Sequence, residues 1–535
     1  MIATASKETA MRKGAIVKSE SAPALEIKHI AEPQLEFGFG QKLEYPRDGL
    51  YLYGPVSSAA SISQVRYGVI GTAEGVRRFQ SWSQMVSGFI GIPEPTIRSR
   101  TVEPQHIPFP GFEQAFAAKW SAKPTETISD IDTDRLQNAL KIRNRHEAIK
   151  SAVSMYVERL IAAQDRLENP PSFWFVVIPE EVYALGRPQS KVLKAEQIQG
   201  QVTISASRAR NLEVEPTLFG EEEKEADVYK YAAHFRRQLK ARLLKDRIVT
   251  QIVRETTLTP KEFVTESGWP LRRLEDPATV AWKLCTGAYY KAGGRPWQLA
   301  DVRPGVCYVG LVYKRTNPQG GDRYACCAAQ MFLSDGDGVV FRGALGPWYS
   351  PDTRQYHLDL SNARKLIRVV VQEYKRLHGK APAELFIHAR SAFAEDEWKG
   401  FEQGCPRGTN LVGVQIRDAR DDLKLFRTGK YPVIRGTAAI LTKRNAFLWT
   451  SGYVPRLDTY MGPETPNPIQ VKVQKGRCAL ETVLSDVLGL TKINFNSCLY
   501  NDRLPVTIRF ADAVGDVLVS APMDGEPKLP FKYYI

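Results

Sequence analysis

Phe235-Arg-Arg-Gln-Leu-Lys-Ala-Arg-Leu-Leu-Lys-Asp-Arg-Ile-Val-Thr-Gln-Ile-Val253 sets a strongly basic helical stretch directly before a short apolar strand. The spacing predicts a helix over Asp227–Lys245 and a strand over Ile248–Val253. Arg236 and Lys240 are four residues apart, so both side chains lie on one helical face. Arg237 and Lys245 project from the same helix one turn on. Gln251 is placed at the carboxyl end of the strand, where open α/β sheets take their ligands. Lys291 closes the next predicted helix, Pro277–Ala292, just ahead of Gly293-Gly294-Arg295-Pro296-Trp297. Cations and an amide converging at sheet ends suit a terminal phosphate, which accepts several charge-assisted hydrogen bonds. The plain alternative is a basic helix face turned to water.

Working outward, apolar strands alternate with helical patterns. Val65–Thr72 reads as a buried strand, and Ala73–Val86 as a helix with Val76, Phe79 and Met85 on one side. A long helix is predicted over Arg135–Leu167, and the run Phe173-Trp-Phe-Val-Val-Ile178 is a second buried strand. Glu180–Glu225, with its acidic cluster, reads as a solvated loop. This alternation implies a parallel, Rossmann-like sheet ending at Trp297. Beyond Pro304 the order changes. Val306–Tyr313, Arg323–Phe332 and Gly338–Arg342 read as adjacent antiparallel strands, followed by the helix Leu360–His378 and the strand Glu384–His388. That is the opening order of an RNase H-like α/β domain. Residues 1–35 carry no sustained periodicity and are expected to form a mobile leader.

The chain has 535 residues, too many for one compact core, and its 73 Lys and Arg against 59 acidic residues give a formal charge of +14. Such an excess favours a polyanionic partner, nucleic acid before membrane. The longest apolar runs fall far short of the ~20 residues of a membrane helix, and Met1–Ser21 lacks the apolar core of a secretory signal. A soluble cytoplasmic protein with no membrane partner is expected. The seven cysteines form no zinc-finger spacing. Phe37-Gly-Phe-Gly40 lacks the rest of a dinucleotide fingerprint, and no phosphate-binding loop of the GxxxxGK[ST] type occurs, so nucleotide hydrolysis has no support. Asp335-Gly-Asp-Gly338 is explained better by a hairpin turn than by a calcium loop. His388, on a predicted buried strand, reads as a hydrogen-bonded core histidine.

The pattern of 235–253 followed by Tyr289-Tyr-Lys-Ala-Gly-Gly-Arg-Pro-Trp297 resembles the MID domain of prokaryotic Argonaute proteins. The likeness continues through Cys307–Lys314, Ile387–Phe393, Pro463–Val471 and Leu490–Asp512, which resemble segments of a PIWI domain. It implies an α/β fold: a Rossmann-like MID domain followed by an RNase H-like PIWI domain. The divisions are a leader 1–35, an N-terminal segment plus MID domain 36–297, and a PIWI domain 298–535. Mapped by motif, the residues that hold a guide's 5′-phosphate fall on Arg236, Lys240, Gln251 and Lys291, with His234 in place of Arg236 if the register slips. The resemblance also implies Mg²⁺ at this phosphate, bridged to the carboxylate of Ile535 near Gln251, the apolar end Tyr533–Ile535 reading as a tucked strand. MID-like sequence is under way by Val65, leaving no room for the N and PAZ domains of long Argonautes, so the resemblance is to a short prokaryotic Argonaute.

A slicing PIWI domain holds two divalent metals with carboxylates. The first such position, two residues after Gly310, is Val312. The second falls on Ala389-Arg390-Ser391, with Arg390 in the place of the aspartate. The expectation is therefore a protein without catalytic residues. It would load a short 5′-phosphorylated guide RNA and recognise complementary single-stranded DNA. Binding would switch on a separate APAZ-containing effector of TIR, sirtuin-like or nuclease type in defence against plasmids or phage. Two rivals stand beside it. One is a guided endonuclease with displaced metal ligands drawn from Asp335, Asp337, Glu395, Asp396 and Glu397; the other is a nucleic-acid-binding regulator that needs no guide.

Overall fold

The computed structural model describes residues 25–56, 61–92, 106–214, 220–272, 274–315, 325–333, 338–345, 348–351, 354–419, 423–460, 465–522 and 529–535. Phe173–Ile178 explains the first half of the chain. All six residues are buried, which a strand requires when both faces of its sheet are covered. It pairs in parallel with Tyr67–Ile70 on one side and with Thr250–Arg254 on the other, and Glu126–Ile128 completes a four-stranded parallel sheet. Alternate residues feed opposite cores. Phe173, Phe175 and Val177 share a core with Phe79, Trp82 and Trp282, from the helices Ala73–Val86 and Pro277–Lys291. Trp174, Val176 and Ile178 share another with Tyr156, Leu160 and Leu239, from Arg145–Arg166 and Phe235–Leu243. This is the Rossmann-like layering expected.

The second half is built on a nine-stranded sheet. Val306–Arg315 lies antiparallel to Ala325–Leu333 and parallel to Glu384–Ala389. Gly338–Leu345 extends one side, and Asn410–Asp418 adds a further parallel strand on the other. Leu360–His378 and Glu395–Gly404 cover one face, and Leu480–Gly489 and Val506–Leu518 the other. Gly310 permits the closest of these approaches: a Cβ there would lie 2.0 Å from the Thr507 carbonyl oxygen. His388 is fully buried and shares a 2.9 Å hydrogen bond with Thr507 Oγ1, as a core histidine should. The two halves are not insulated, for one core runs from Phe175 to Ile508, and Trp297 Nε1 donates to the Lys492 carbonyl at 3.0 Å. Among the described residues no helix is long and apolar enough to cross a membrane.

Several local expectations need correction. Within the expected leader 1–35, Glu26–His29 is the edge strand of the nine-stranded sheet, paired antiparallel with Thr437–Ile440. That partner lies about four hundred residues away, beyond the reach of local periodicity. The long helix Arg135–Leu167 is two helices, Thr133–Lys141 and Arg145–Arg166, because the Asn144 side chain accepts from the His146 and Glu147 amides and starts a new one. Glu180–Glu225, expected as a loop, contains the helices Glu180–Leu185 and Ala206–Val214 and the start of Gly220–Ala226. The basic helix spans only Phe235–Leu243, preceded by a 3₁₀ turn at Asp227–Lys230, and leaves Lys245 outside it. The end Phe531–Tyr533 is a 3₁₀ turn rather than a strand, though Tyr534 and Ile535 are buried as a tucked end should be. The Asp335 and Asp337 positions lie outside the described residues.

Glu32, also within the expected leader, ties the N-terminal segment to the sheet. Its carboxylate receives Arg435 Nε at 2.8 Å and Lys492 Nζ at 2.5 Å, and both cations are almost wholly buried. Burial alone would raise the Glu32 carboxyl, but Arg435 and Lys492 outweigh it and hold it below its usual value. Removing one partner of a buried pair leaves uncompensated charge, at about 3–5 kcal/mol. Glu32→Ala should lower the urea-unfolding free energy by that order, whereas a change below about 1 kcal/mol would mean that water enters and screens the site.

Candidate functional site

The basic helix Phe235–Leu243 precedes the strand Thr250–Arg254, and its first turns face a cleft of about 700 Å³ between the two halves of the molecule. Arg236, Lys240, Gln251, Lys291 and Ile535 all line it, together with His234, Arg237, Arg187, Arg254 and Asn496. The five residues named from sequence are thus brought together, although their segments are spread over three hundred residues. Among the described lining residues none is acidic.

Each cation is held differently. Lys240 is 3% exposed, and its Nζ donates to the Thr250 carbonyl at 2.9 Å, to Thr250 Oγ1 at 3.3 Å and to the Ile535 oxygen at 2.8 Å. Lys291 is 1% exposed, and its Nζ donates to Gln251 Oε1 and, at 2.8 Å, to Asn496 Oδ1. Lys240 thus has a protein acceptor for each of its three N–H groups and offers an anion its charge, whereas Lys291 has two such acceptors for three N–H groups. Burial, then the neighbouring Lys291 and Arg236 charges, push Lys240 well below its usual pKa. Burial, then Arg236, lower Lys291 to about 7. Arg236 is open to water through the cleft mouth, yet the protein packed about it, and then Arg237, lower its pKa as well. His234, lowered to about 4 by burial and by Arg237 and Arg236, is neutral at physiological pH. A dianion entering here would relieve the repulsion among these cations.

Gln251 occupies the second position of the strand Thr250–Arg254, not its carboxyl end. The strand is the edge of its sheet, and the amide reaches Lys291 sideways from there. Two contributors were missed. Asn496 comes from a loop of the second half, and no spacing links it to Lys291. Tyr183, from the segment expected to be a loop, is clasped between Arg187 and Arg254, whose guanidinium carbons lie 3.7 and 3.5 Å from its ring centre.

A second cleft, of about 300 Å³, opens at the carboxyl ends of Val306–Arg315 and Glu384–Ala389. Val312, Arg390, Ser391, Gln355 and Asp512 line it. Asp512 was not singled out from sequence; its helical register, on the buried helix Val506–Leu518, was the available signal. Its carboxylate is paired with Lys314 at 2.6 Å and lies 3.9 Å from Arg390. The other carboxylates considered as metal ligands have different work. Glu397 is buried and accepts from Tyr313 Oη, from the Leu358 amide at 3.1 Å and from the Ala394 amide at 3.3 Å. Glu395 and Asp396 are exposed and pair with Lys475 and Lys399. Among the described residues no group of three or more His, Cys, Asp and Glu is placed to hold a metal.

No protein-family profile matches the sequence. It is 23% identical over 283 residues to the Argonaute of Aquifex aeolicus (strain VF5), covering 52% of this chain and 35% of that protein. Two solved structures share its fold. The Argonaute of Clostridium butyricum, bound to a guide DNA and a 19-mer target DNA, superposes with a TM-score of 0.54 at 14% identity, over 96% of this chain and 55% of the other. The Aquifex aeolicus Argonaute with externally bound siRNA gives 0.53 at 16% identity, over 95% and 56%. The fold is therefore Argonaute-like, a Rossmann-like MID domain followed by an RNase H-like PIWI domain. The chain spans about a third of the curated relative and about half of the solved chains.

The Lys291 pKa gives the site a pH signature. An anion binds best to the charged ammonium, and Lys291 loses its proton above about 7. Affinity for a nucleoside 5′-monophosphate should fall about tenfold or more from pH 7 to 9, as read by calorimetry. Lys291→Arg should flatten the profile, because guanidinium keeps its charge. A flat wild-type profile would remove Lys291 from the binding set.

Proposed function

We propose that this chain is a short Argonaute-type protein. It loads a short guide, RNA by our reading, through its 5′-phosphate and pairs it with complementary single-stranded DNA. One observation carries the reading: Arg236, Lys240, Gln251 and Lys291 meet in a single cleft with no acidic side chain among its described lining residues. Two buried ammonium groups and an arginine suit a terminal phosphate, and base pairing by the guide supplies sequence choice while the protein holds the backbone. That the Clostridium relative was solved with guide and target DNA supports a guided partner of this class. Our reading adds Mg²⁺ at the phosphate: Gln251 Oε1 and the Ile535 oxygen are hard donors that would hold it, through lone pairs other than those that accept from Lys291 and Lys240. Once bound, the ion neutralises part of the phosphate charge.

In the second cleft, Val312 and Arg390 stand where carboxylates would gather two metals, and Asp512 already pairs with Lys314. Arg390 opposes divalent cations there and favours a phosphate backbone. Our reading is that target is held and left intact, and that the bound state signals to an APAZ-containing effector (TIR, sirtuin-like or nuclease) in defence against plasmids or phage. The Asp512 carboxylate that lines this cleft is the observation that favours the rival, a guided endonuclease with non-standard ligands.

One experiment tests both parts. Loaded with a 5′-phosphorylated guide, the protein should bind a matched target in Mg²⁺ or Mn²⁺ and leave it uncut. A charge-assisted hydrogen bond contributes ~1.5–3 kcal/mol, so Lys240→Ala or Lys291→Ala alone should weaken loading of phosphorylated guide by a factor of about ten to a hundred, the double variant by more, and loading of 5′-hydroxyl guide should change far less. A double variant that binds 5′-phosphorylated and 5′-hydroxyl guides as the wild type does would sink the phosphate assignment. Guide-dependent cleavage at one defined position would establish the endonuclease instead.

A further inference from the structure

The carboxyl end of Asn410–Asp418 opens on the same edge of the large sheet as Arg390, since Gln415 is paired with Ala389 and its Nε2 donates to the Arg390 carbonyl at 3.0 Å. The chain that leaves this edge returns through Val433, and its side chains are sorted by a period of two. Leu423 and Leu425 turn inward onto a small core with Ala419, Val433, Phe447 and Trp449. Lys424 and Phe426 turn outward, and Phe426 is 74% exposed. Arg427 and Lys430 follow, both exposed. Tyr431 then stacks on Tyr453 with ring centres 4.4 Å apart and planes 15° apart. The Arg427 guanidinium lies 5.2 Å from the Tyr453 ring, and Lys430 Nζ 5.0 Å from the Tyr431 ring.

The stack is anchored. The Tyr453 amide donates to the Val433 carbonyl at 2.9 Å, its carbonyl receives the Arg435 amide at 3.0 Å, and its hydroxyl donates to Asp458 at 2.9 Å. An exposed phenyl ring and a fixed tyrosine pair interleaved with cations form the surface on which unpaired bases stack while the backbone meets positive charge. A large apolar ring left in water has no role in the packing beneath it, where the two leucines already serve.

We propose that Phe426, Arg427, Lys430, Tyr431 and Tyr453 form a second nucleic-acid site, a platform for the single-stranded segment that flanks the region held across the Arg390 cleft. It binds without regard to sequence, through base stacking and backbone charge. It rests on the nucleic-acid reading above and adds a site which that reading does not require.

The test uses the full chain loaded with a 5′-phosphorylated guide, and two DNA targets, one only as long as the guide and one carrying oligo-dT tails. Tails should tighten binding about tenfold. Phe426→Ala should abolish most of that gain while guide loading and affinity for the untailed target stay as in wild type. Tyr431→Phe, which keeps the stack, should retain it. Arg427→Ala/Lys430→Ala should flatten the salt dependence of tailed binding by about one to two in logarithmic slope. If tails add nothing, or if Phe426→Ala keeps the full gain, the proposal is overturned. Should no guide load at all, the function proposed above fails, and the platform is judged alone from the affinity of unloaded protein for a 15-residue oligo-dT. Phe426→Ala must lower that affinity about tenfold. An unchanged value, as for a patch that docks another protein, overturns it.

Discussion

Two lysine ammonium groups held almost dry, with no acidic side chain as a partner, set the terms for this molecule. Burying a charge that lacks a counter-ion costs several kcal/mol even after relaxation, and Lys240 and Lys291 also repel one another. A fold selected for stability alone would place apolar side chains there. The cations stay because their acceptors come from places that only the assembled chain brings together: Thr250 and Gln251 on a strand edge, Asn496 in a distant loop, and Ile535 at the last residue. The cleft is thus a product of both halves. An incoming phosphate would complete its charge balance and bind the halves more firmly to each other.

The same helix joins this cleft to the second one. Arg237, beside Arg236, pairs with Asp516 at 2.6 Å; Lys314 bridges Asp516 and Asp512; and Asp512 faces Arg390. Charges alternate along the whole row, from the phosphate cleft to the cleft where Val312 stands. Partly exposed pairs of this kind contribute little stability singly. Strung together, they tie the helix Val506–Leu518 to both clefts.

What could be read from sequence followed physical simplicity. Phe173–Ile178 and Val306–Tyr313 are apolar runs long enough to demand strands covered on both faces, and the structure forms both. Arg236 and Lys240 share a helical face by spacing alone. What could not be read depended on distance in sequence. Glu26–His29 has weak strand character until Thr437–Ile440 lies beside it, and Asn496 says nothing of Lys291. Glu397 looked like one of several acidic loop residues, yet burial and three donors make it a structural carboxylate. Asp512 was hidden for the opposite reason, a polar residue on a helix whose other residues are mostly buried. Only the fold turns it toward Arg390.

The central claim is that the Lys240–Lys291 cleft exists for a phosphorylated end of a nucleic acid. The most direct measurement is to purify the protein from cells and determine the length, type and 5′ chemistry of the nucleic acid that comes with it. The account predicts short oligonucleotides of narrow length range with 5′-phosphates, lost from Lys240→Ala/Lys291→Ala. Nucleic acid absent altogether, or of random length with 5′ ends unaffected by the double variant, would contradict it.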